Sequence, residues 1–135
     1  MVDLLISDLA YGSGTTLFST GTHTTNWTGI WASPQAGNVV WSLIGKFCTI
    51  KVLANVIATS NAAANITVVN ALPSNIRPVV GVSTPLLVIS TTTQIGEIII
   101  STAGAITIER TLTNLAFASG VSAGFYAFSL TYLTA

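Results

Sequence analysis

The chain has 135 residues, a formal net charge of zero and only 6% charged residues, against about 25% in an ordinary soluble domain. This length fits one domain, and its scattered basic residues, such as Lys46 and Lys51, argue against binding to nucleic acid or anionic lipid. Polar residues or glycine interrupt every apolar run before it reaches the ~18 residues of a membrane-spanning helix, so membrane insertion is not expected.

The first 38 residues differ from the remainder and are predicted to be an extended lead-in with short strands, packed on the same domain. Five glycines divide this segment, and the Thr-rich stretch 15–28 contains one titratable group, His23. Met1 to Ile6 lacks the basic flank and cleavage site of a secretory signal peptide, so export by that route is not expected.

From Val39 onward, short β-branched and aromatic runs alternate with Gly, Pro, Asn and Ser, which is typical of an all-β sandwich or barrel. We expect one such domain over 39–135. The runs predict strands at 39–44, 46–56, 64–71, 79–82, 86–91, 95–102, 105–110, 114–118 and 124–133. No window shows the apolar spacing of an amphipathic helix, so helix is expected to be nearly absent.

A tight hairpin is predicted around Ala103 and Gly104, which lie between two apolar runs. A glycine at this point supplies the positive φ that such a turn requires. Glu97 and Arg110 are roughly symmetric about the turn centre, so we expect them to form a cross-strand ion pair. At the surface such a pair contributes about 0 to 1 kcal/mol.

Pro73 and Pro78 flank a segment that is predicted to be a loop between strands. Each proline removes an amide donor, so residues 74–77 cannot continue a central ladder. Arg77 in this loop is a candidate ligand-facing cation. The alternative is that its guanidinium only hydrogen-bonds backbone carbonyls.

The last strand and the middle strands differ in pattern. Alternate positions from Tyr126 onward are aromatic or aliphatic, which is typical of a sheet with one packed face. By contrast, Ile98, Ile99 and Ile100 are consecutive, and Leu87 lies in an almost wholly apolar run. Strands that are apolar on both faces need cover on both, and because helix is lacking we expect a second copy of the chain to supply it at these residues.

Several motifs follow one another in this chain: Trp31, the Gly-Asn-Val-Val-Trp segment 37–41, Ile-Gly-Lys at 44–46, Leu-Pro at 72–73 with Arg-Pro at 77–78, the isoleucine-rich 98–108 and the aromatic strand 125–132. In this order they resemble the C-terminal head domains of viral and phage fibres, over roughly residues 27–133. The resemblance implies a jelly-roll-like sandwich of about eight strands, a homotrimer carried on a fibre stalk or capsid, and a place on the virion surface. The sequence departs from a full fibre because no Gly-X-Y or heptad repeat precedes the domain.

Asn26, Trp27 and Trp31, together with Arg77, are the candidate ligand-binding residues. Two indoles four positions apart, with amide and hydroxyl neighbours, can stack on a sugar ring and hydrogen-bond its hydroxyls. The alternative is structural, with one or both indoles closing the end of the sandwich or a subunit seam. Trp41 alternates with apolar residues and is expected in the core.

Groups suited to catalysis are scarce, since the chain has one His, one Cys and four carboxylates. We therefore predict no enzyme activity, metal site or cofactor. A Ser-His-Asp set drawn from His23 and Asp8 lacks a nucleophile elbow. His23 either binds a metal on a threefold axis, with one imidazole from each copy, or is solvent-exposed or hydrogen-bonded. Cys48 is expected to be a small buried hydrophobic residue.

The resemblance and the composition together predict a non-enzymatic head domain of a viral fibre, which attaches as a homotrimer to a host cell-surface receptor. A glycan is the expected receptor because neutral sugars need no counter-ion. A second hypothesis is a purely structural virion component, a trimerisation cap or minor capsid protein. Exposure of both indoles and of the 74–77 loop favours the first hypothesis, and burial of the indoles favours the second.

Overall fold

A computed structural model of the protein describes residues 17–135 and shows an all-β fold of antiparallel strands. The strands are β1 (Phe18–His23), β2 (Asn26–Thr28), β3 (Gln35–Ala36), β4 (Val39–Ile44), β5 (Phe47–Val52), β6 (Val56–Thr59), β7 (Ile66–Val68), β8 (Val82–Ser90), β9 (Thr92–Ile100), β10 (Ile106–Glu109), β11 (Ser122–Phe125) and β12 (Phe128–Leu133). The described residues contain one 3₁₀ turn, Ser74–Ile76, and within them no helix is long and apolar enough to cross a membrane.

The strands form two sheets. One has four strands in the order β1-β4-β5-β12, and the other has eight in the order β3-β2-β7-β10-β9-β8-β11-β6. The terminal strands of the larger sheet, β3 and β6, contact each other, so this sheet curls into a nearly closed barrel. Closure removes the exposed edges that an open sheet would present to other chains.

The two sheets are joined where one strand pair passes from the first sheet into the second. β12 pairs with β5 in the four-stranded sheet, and β11 pairs with β6 in the barrel. Between these pairs, residues 53–55 lie opposite residues 126–127, which is a bulge that bends both segments. Asn55 Oδ1 accepts a hydrogen bond of 2.9 Å from the Ala127 amide at this bend. The predicted strand 124–133 is therefore divided between the sheets.

One hydrophobic core fills the barrel and continues to the inner face of the four-stranded sheet. Strand alternation directs Trp27, Ile66, Ile108, Val88 and Phe125 into the barrel, where all are buried. Small barrels have interiors just wide enough for side chains to fill. The prediction of an all-β fold with antiparallel strands and almost no helix is confirmed.

The isoleucine run of β9 is accommodated within one chain. Ile98 and Ile100 point into the core and are buried, whereas Ile99 faces outward and is half-buried. A nearly closed barrel covers its inward positions by itself, so Ile98 and Ile100 need no second copy. Leu87 on the neighbouring β8 faces outward and is exposed.

The predicted strand 114–118 is absent, and this segment is irregular after a turn at 111–114 that local hydrogen bonds form. Thr111 Oγ1 accepts hydrogen bonds from the amides of Thr113 and Leu115, at 3.3 and 3.2 Å. Asn114 adopts a φ of 63°, which Asn tolerates better than most residues. Hydroxyl and amide side chains compete with strand pairing in this way, and apolar composition alone does not reveal it.

The predicted break between strands 79–82 and 86–91 is also absent, because β8 runs through Pro85. At Pro85 the strand has β9 on one side only, since β11 pairs only with Val88 and the two residues after it. Prolines are tolerated in strands where one side lacks a ladder. The loop predicted between Pro73 and Pro78 is confirmed and contains the 3₁₀ turn.

Residues 17–38 supply three strands, of which β1 lies at the edge of the four-stranded sheet while β2 and β3 belong to the barrel. The predicted boundary after residue 38 falls between directly paired segments, since His23 of β1 lies opposite Val39 of β4. Asp8, considered above with His23, lies outside the described residues.

Candidate functional site

Both indoles of the candidate ligand cluster lie in the core. Trp27 is fully buried, its Nε1 donates to the Gly37 carbonyl at 2.8 Å, and its ring meets Phe125 edge-on with centroids 4.8 Å apart. Trp31 is also buried, and its Nε1 donates to backbone carbonyls of β6 and β11. Neither ring presents a face to solvent, so neither is placed to stack on a sugar. Trp41 packs against the core, as expected.

The remaining candidates from the sequence are at or near the surface. Asn26 is exposed at the start of β2. Arg77 is half-buried, and its Nε donates to the Leu72 carbonyl at 2.8 Å, which is the backbone-bonding alternative. The Asn70 carbonyl accepts a hydrogen bond of 2.9 Å from His23 Nε2. Arg77 and His23 thus each bind a backbone carbonyl.

Cys48 and Tyr132 lie opposite each other on the inner face of the four-stranded sheet. Burial raises the pKa of the Cys48 thiol, and burial together with the neighbouring Cys48 raises the pKa of the Tyr132 phenol. The phenol donates to the Ile76 carbonyl at 2.6 Å. Both groups are therefore neutral at pH 7 and serve packing, as predicted for Cys48.

The predicted hairpin at Gly104 is confirmed, with a register one residue away from the expected one. The Gly104 amide donates to the Ser101 carbonyl and the Ser101 amide to the Ala105 carbonyl, both at 2.9 Å, which encloses a three-residue turn. Gly104 has a φ of 84° and ends this turn. Because the turn has an odd number of residues, Glu97 lies opposite Glu109 instead of Arg110.

Glu97 and Glu109 thus form a carboxylate pair on the outer face of the barrel. Glu109 is buried, and the Asn65 and Asn114 side-chain amides lie against it. Burial raises the pKa of the Glu109 carboxyl, and the adjacent Glu97 raises it further. Ser83 donates a hydrogen bond to Glu97. Between residues 17 and 135, no group of three or more His, Cys, Asp or Glu is arranged to hold a metal ion.

The outer face of the four-stranded sheet carries side chains in rows that cross all four strands. Cross-strand register places the largest of them in one row, the apolar row: Phe18, Ile44, Phe47 and Leu133. The next row, about 7 Å away along the strands, is the hydroxyl row: Thr20, Ser42, Thr49 and Thr131. The third row is mixed: Thr22, Val40, Lys51 and Ser129.

The apolar row is exposed to solvent. Its four side chains are 48% to 62% exposed. Val79 and Val80, which are 52% and 70% exposed, extend it around the sheet edge, where the Val79 amide donates to the Leu133 carbonyl at 3.0 Å. We call these six residues the apolar patch. Exposed hydrophobic residues occur singly on most soluble proteins, and contiguous ones mark interaction sites.

The hydroxyl row is polar and carries no charge. Thr49 Oγ1 and Thr131 Oγ1 share a hydrogen bond of 2.8 Å. An open depression of about 170 Å³ lies beside the row and is lined by Val40, Trp41, Ser42, Thr49 and Lys51. Lys51 lies in the third row and, among the described residues, is the one charged side chain in the three rows of this face. The hydroxyl row therefore offers hydrogen-bond donors and acceptors without charge.

Sequence reasoning missed this face because its rows join residues from both ends of the chain. The available signal was alternation, since Thr49 and Lys51, like Ser129 and Thr131, occupy one face of their strands. No protein-family model matches the chain, and no curated protein matches it. Inferences about function therefore rest on the surfaces themselves.

Proposed function

We propose that this chain is the non-enzymatic head domain of a viral or phage fibre. In this proposal the domain is a jelly-roll-like sandwich, forms a homotrimer and is located on the virion surface. Its function is to attach the particle to a host cell-surface glycan. The observation that supports attachment is the hydroxyl row on the exposed face of the four-stranded sheet. It offers donors and acceptors without charge, as the recognition of a neutral sugar requires.

In this proposal the ligand lies across β4, β5 and β12. Ser42 and Thr49 line the depression beside the row, and Lys51 adds a donor at its rim. The shared hydrogen bond between Thr49 and Thr131 leaves each hydroxyl with further acceptor capacity for a sugar hydroxyl. Such a shallow site binds weakly alone, and three copies on one particle strengthen binding through avidity.

A purely structural virion component, a trimerisation cap or minor capsid protein, is the second candidate function. Burial of Trp27 and Trp31 favours it, because the two side chains best suited to stack on a sugar are occupied in the core. The bond from Arg77 to the Leu72 carbonyl favours it as well, since it engages the candidate cation. In this function the partners are other copies of the chain and the virion.

A glycan array probed with the intact protein separates the two functions. We expect bound glycans for the unaltered chain and at least a tenfold loss of signal for the double variant Thr49→Val, Thr131→Val. Thr59→Val is the matched control, because Thr59 is an exposed strand threonine on the other sheet and its loss should leave binding unchanged. A blank array with an intact oligomer supports the structural function. Binding that survives the double variant contradicts the hydroxyl row as the site.

A further inference from the structure

Exposed large hydrophobic side chains occur in a second place besides the apolar patch. Leu87 and Ile95 are directly opposite each other on the outer face of β8 and β9. Gln94 Nε2 donates to the Arg110 carbonyl at 2.8 Å and the Arg110 amide donates to the Leu115 carbonyl at 3.1 Å, so the loop after β10 starts next to Gln94, the neighbour of Ile95 in β9. That loop carries two more exposed hydrophobic side chains, Leu112 and Leu115. All four side chains are 43% to 55% exposed, and together they are called the second patch: Leu87, Ile95, Leu112 and Leu115.

The apolar patch approaches the size of one side of a protein interface. Given about 150 to 250 Å² for a buried aromatic side chain and somewhat less for an aliphatic one, its exposed fractions correspond to on the order of 600 Å² of apolar surface. This lies at the upper end of the ~300–600 Å² of the largest patch on a typical monomer. It is also close to the ~800 Å² that one partner contributes to an interface of standard size.

Charge differs in sign between the surroundings of the two patches. Lys46 is at the tip of the hairpin between Ile44 and Phe47, and Lys51 lies two rows along the same face. The second patch borders the carboxylate pair instead, since Glu97 is two positions from Ile95 on the same face of β9. Glu109 is buried and the next residue, Arg110, is half-buried, so Glu97 is the carboxylate that the outer face of β9 presents beside this patch.

We propose that the apolar patch of one copy docks on the second patch of another copy of the same chain. Contact of the apolar patch with itself would bring lysine near lysine, and contact of the second patch with itself would bring carboxylate near carboxylate. Contact between the two different patches joins apolar to apolar surface and lysines to carboxylates. Such a heterologous contact forms a closed ring when the rotation between successive copies is a third of a turn, as in the proposed trimer. This inference rests on the proposed homotrimer and is independent of receptor binding.

The mass of the full-length chain in solution, measured by light scattering after size exclusion, tests the contact. We expect about three times the 14.0 kDa of one chain, and a fall to the monomer mass for both Phe47→Asp and Ile95→Lys. Each variant places a charge in one patch and opposes the charges around the other. Leu53→Ser is the matched control, because Leu53 is 72% exposed outside both patches and its replacement should leave the mass unchanged.

Far-UV circular dichroism establishes that each variant is folded, and Ile44→Thr repeats the test in the apolar row with a milder change. A monomeric mass for the unaltered chain overturns the inference. Dissociation by Phe47→Asp without any effect of Ile95→Lys overturns it too, because the apolar patch of one copy would then contact the apolar patch of another. A monomer that co-sediments with phosphatidylcholine vesicles through Phe47 also overturns it. Glycan binding by a monomer leaves the proposed attachment standing, whereas a blank array with an intact oligomer leaves this inference standing.

Discussion

The two sheets of this protein differ in how their hydrophobic side chains are covered. In the barrel, near closure buries inward residues such as Ile98 and Ile100 within one chain. The four-stranded sheet packs its inner face on the same core but leaves Phe18, Ile44 and Phe47 exposed on its outer face. A run of apolar residues therefore does not by itself locate an interface. Exposed apolar residues that align across several strands are the stronger indication of an interaction surface.

The largest expected effect concerns the barrel interior. Trp27→Ala removes a fully buried indole, its hydrogen bond to Gly37 and its edge contact with Phe125. We expect a loss of about 3 to 5 kcal/mol in the free energy of unfolding, as for other large-to-small aromatic substitutions in cores. Urea denaturation monitored by far-UV circular dichroism at one fixed protein concentration measures it.

Leu53→Ala provides the contrast for that experiment, because Leu53 is exposed and belongs to neither patch. Its effect should stay within about 0.5 kcal/mol. Similar losses for both variants would contradict a packed barrel interior. They would also remove the distinction between the buried inward residues of the barrel and the exposed residues on the outer face of the four-stranded sheet.

The hairpin tips of the two sheets provide a second comparison. Gly45 joins β4 to β5 with a φ of 60°, and Thr91 joins β8 to β9 with a φ of 71°. A β-branched residue is strained in this region, whereas glycine is not. Gly45→Thr should therefore lower the free energy of unfolding by about 1 to 2 kcal/mol, and Thr91→Gly should raise it by a smaller amount, since glycine costs more backbone entropy.

Thermal unfolding of the two variants side by side measures the signs. A Cβ at Gly45 would contact no other atom, so the expected loss comes from backbone conformation alone. The Thr91 amide donates to the Ser122 carbonyl at 3.0 Å, and a glycine keeps this bond. A stabilising Gly45→Thr, or a destabilising Thr91→Gly, would contradict this explanation of the two tips.

Local sequence patterns predicted local structure in this chain. Which residues align across strands could be known only from the structure. The turn at Gly104 and the loop before Pro78 were predictable because glycine and proline restrict the backbone where they stand. The apolar row was not, because Phe18 and Leu133 meet only through the registers of β1, β4, β5 and β12. The choice between a sugar-stacking and a structural role for Trp27 and Trp31 also needed the structure, since spacing along the chain does not show which side chains face the core.

The smallest expected effect comes from the carboxylate pair on the barrel. The pKa of Glu109 is raised in the folded protein, so the folded state keeps this proton to a higher pH than the unfolded chain does. Its stabilising contribution is therefore complete below the unfolded-state pKa of about 4.3 and is lost as the pH rises through the folded-state pKa. Glu109→Gln should raise the free energy of unfolding at pH 7 by up to about 1 kcal/mol.

Urea denaturation at pH 4 and at pH 7 measures this difference for the unaltered chain, Glu109→Gln and Glu97→Gln. Other carboxylates add their own pH dependence, so the difference between each variant and the unaltered chain is the informative quantity. Glu97→Gln should give a smaller gain, because burial raises the pKa of Glu109 more than Glu97 does. A pH profile unchanged in Glu109→Gln would contradict the pairing that the three-residue turn at Gly104 imposes. A gain confined to pH 7 supports it, because the proton that burial and Glu97 favour on the Glu109 carboxyl is lost as the pH rises.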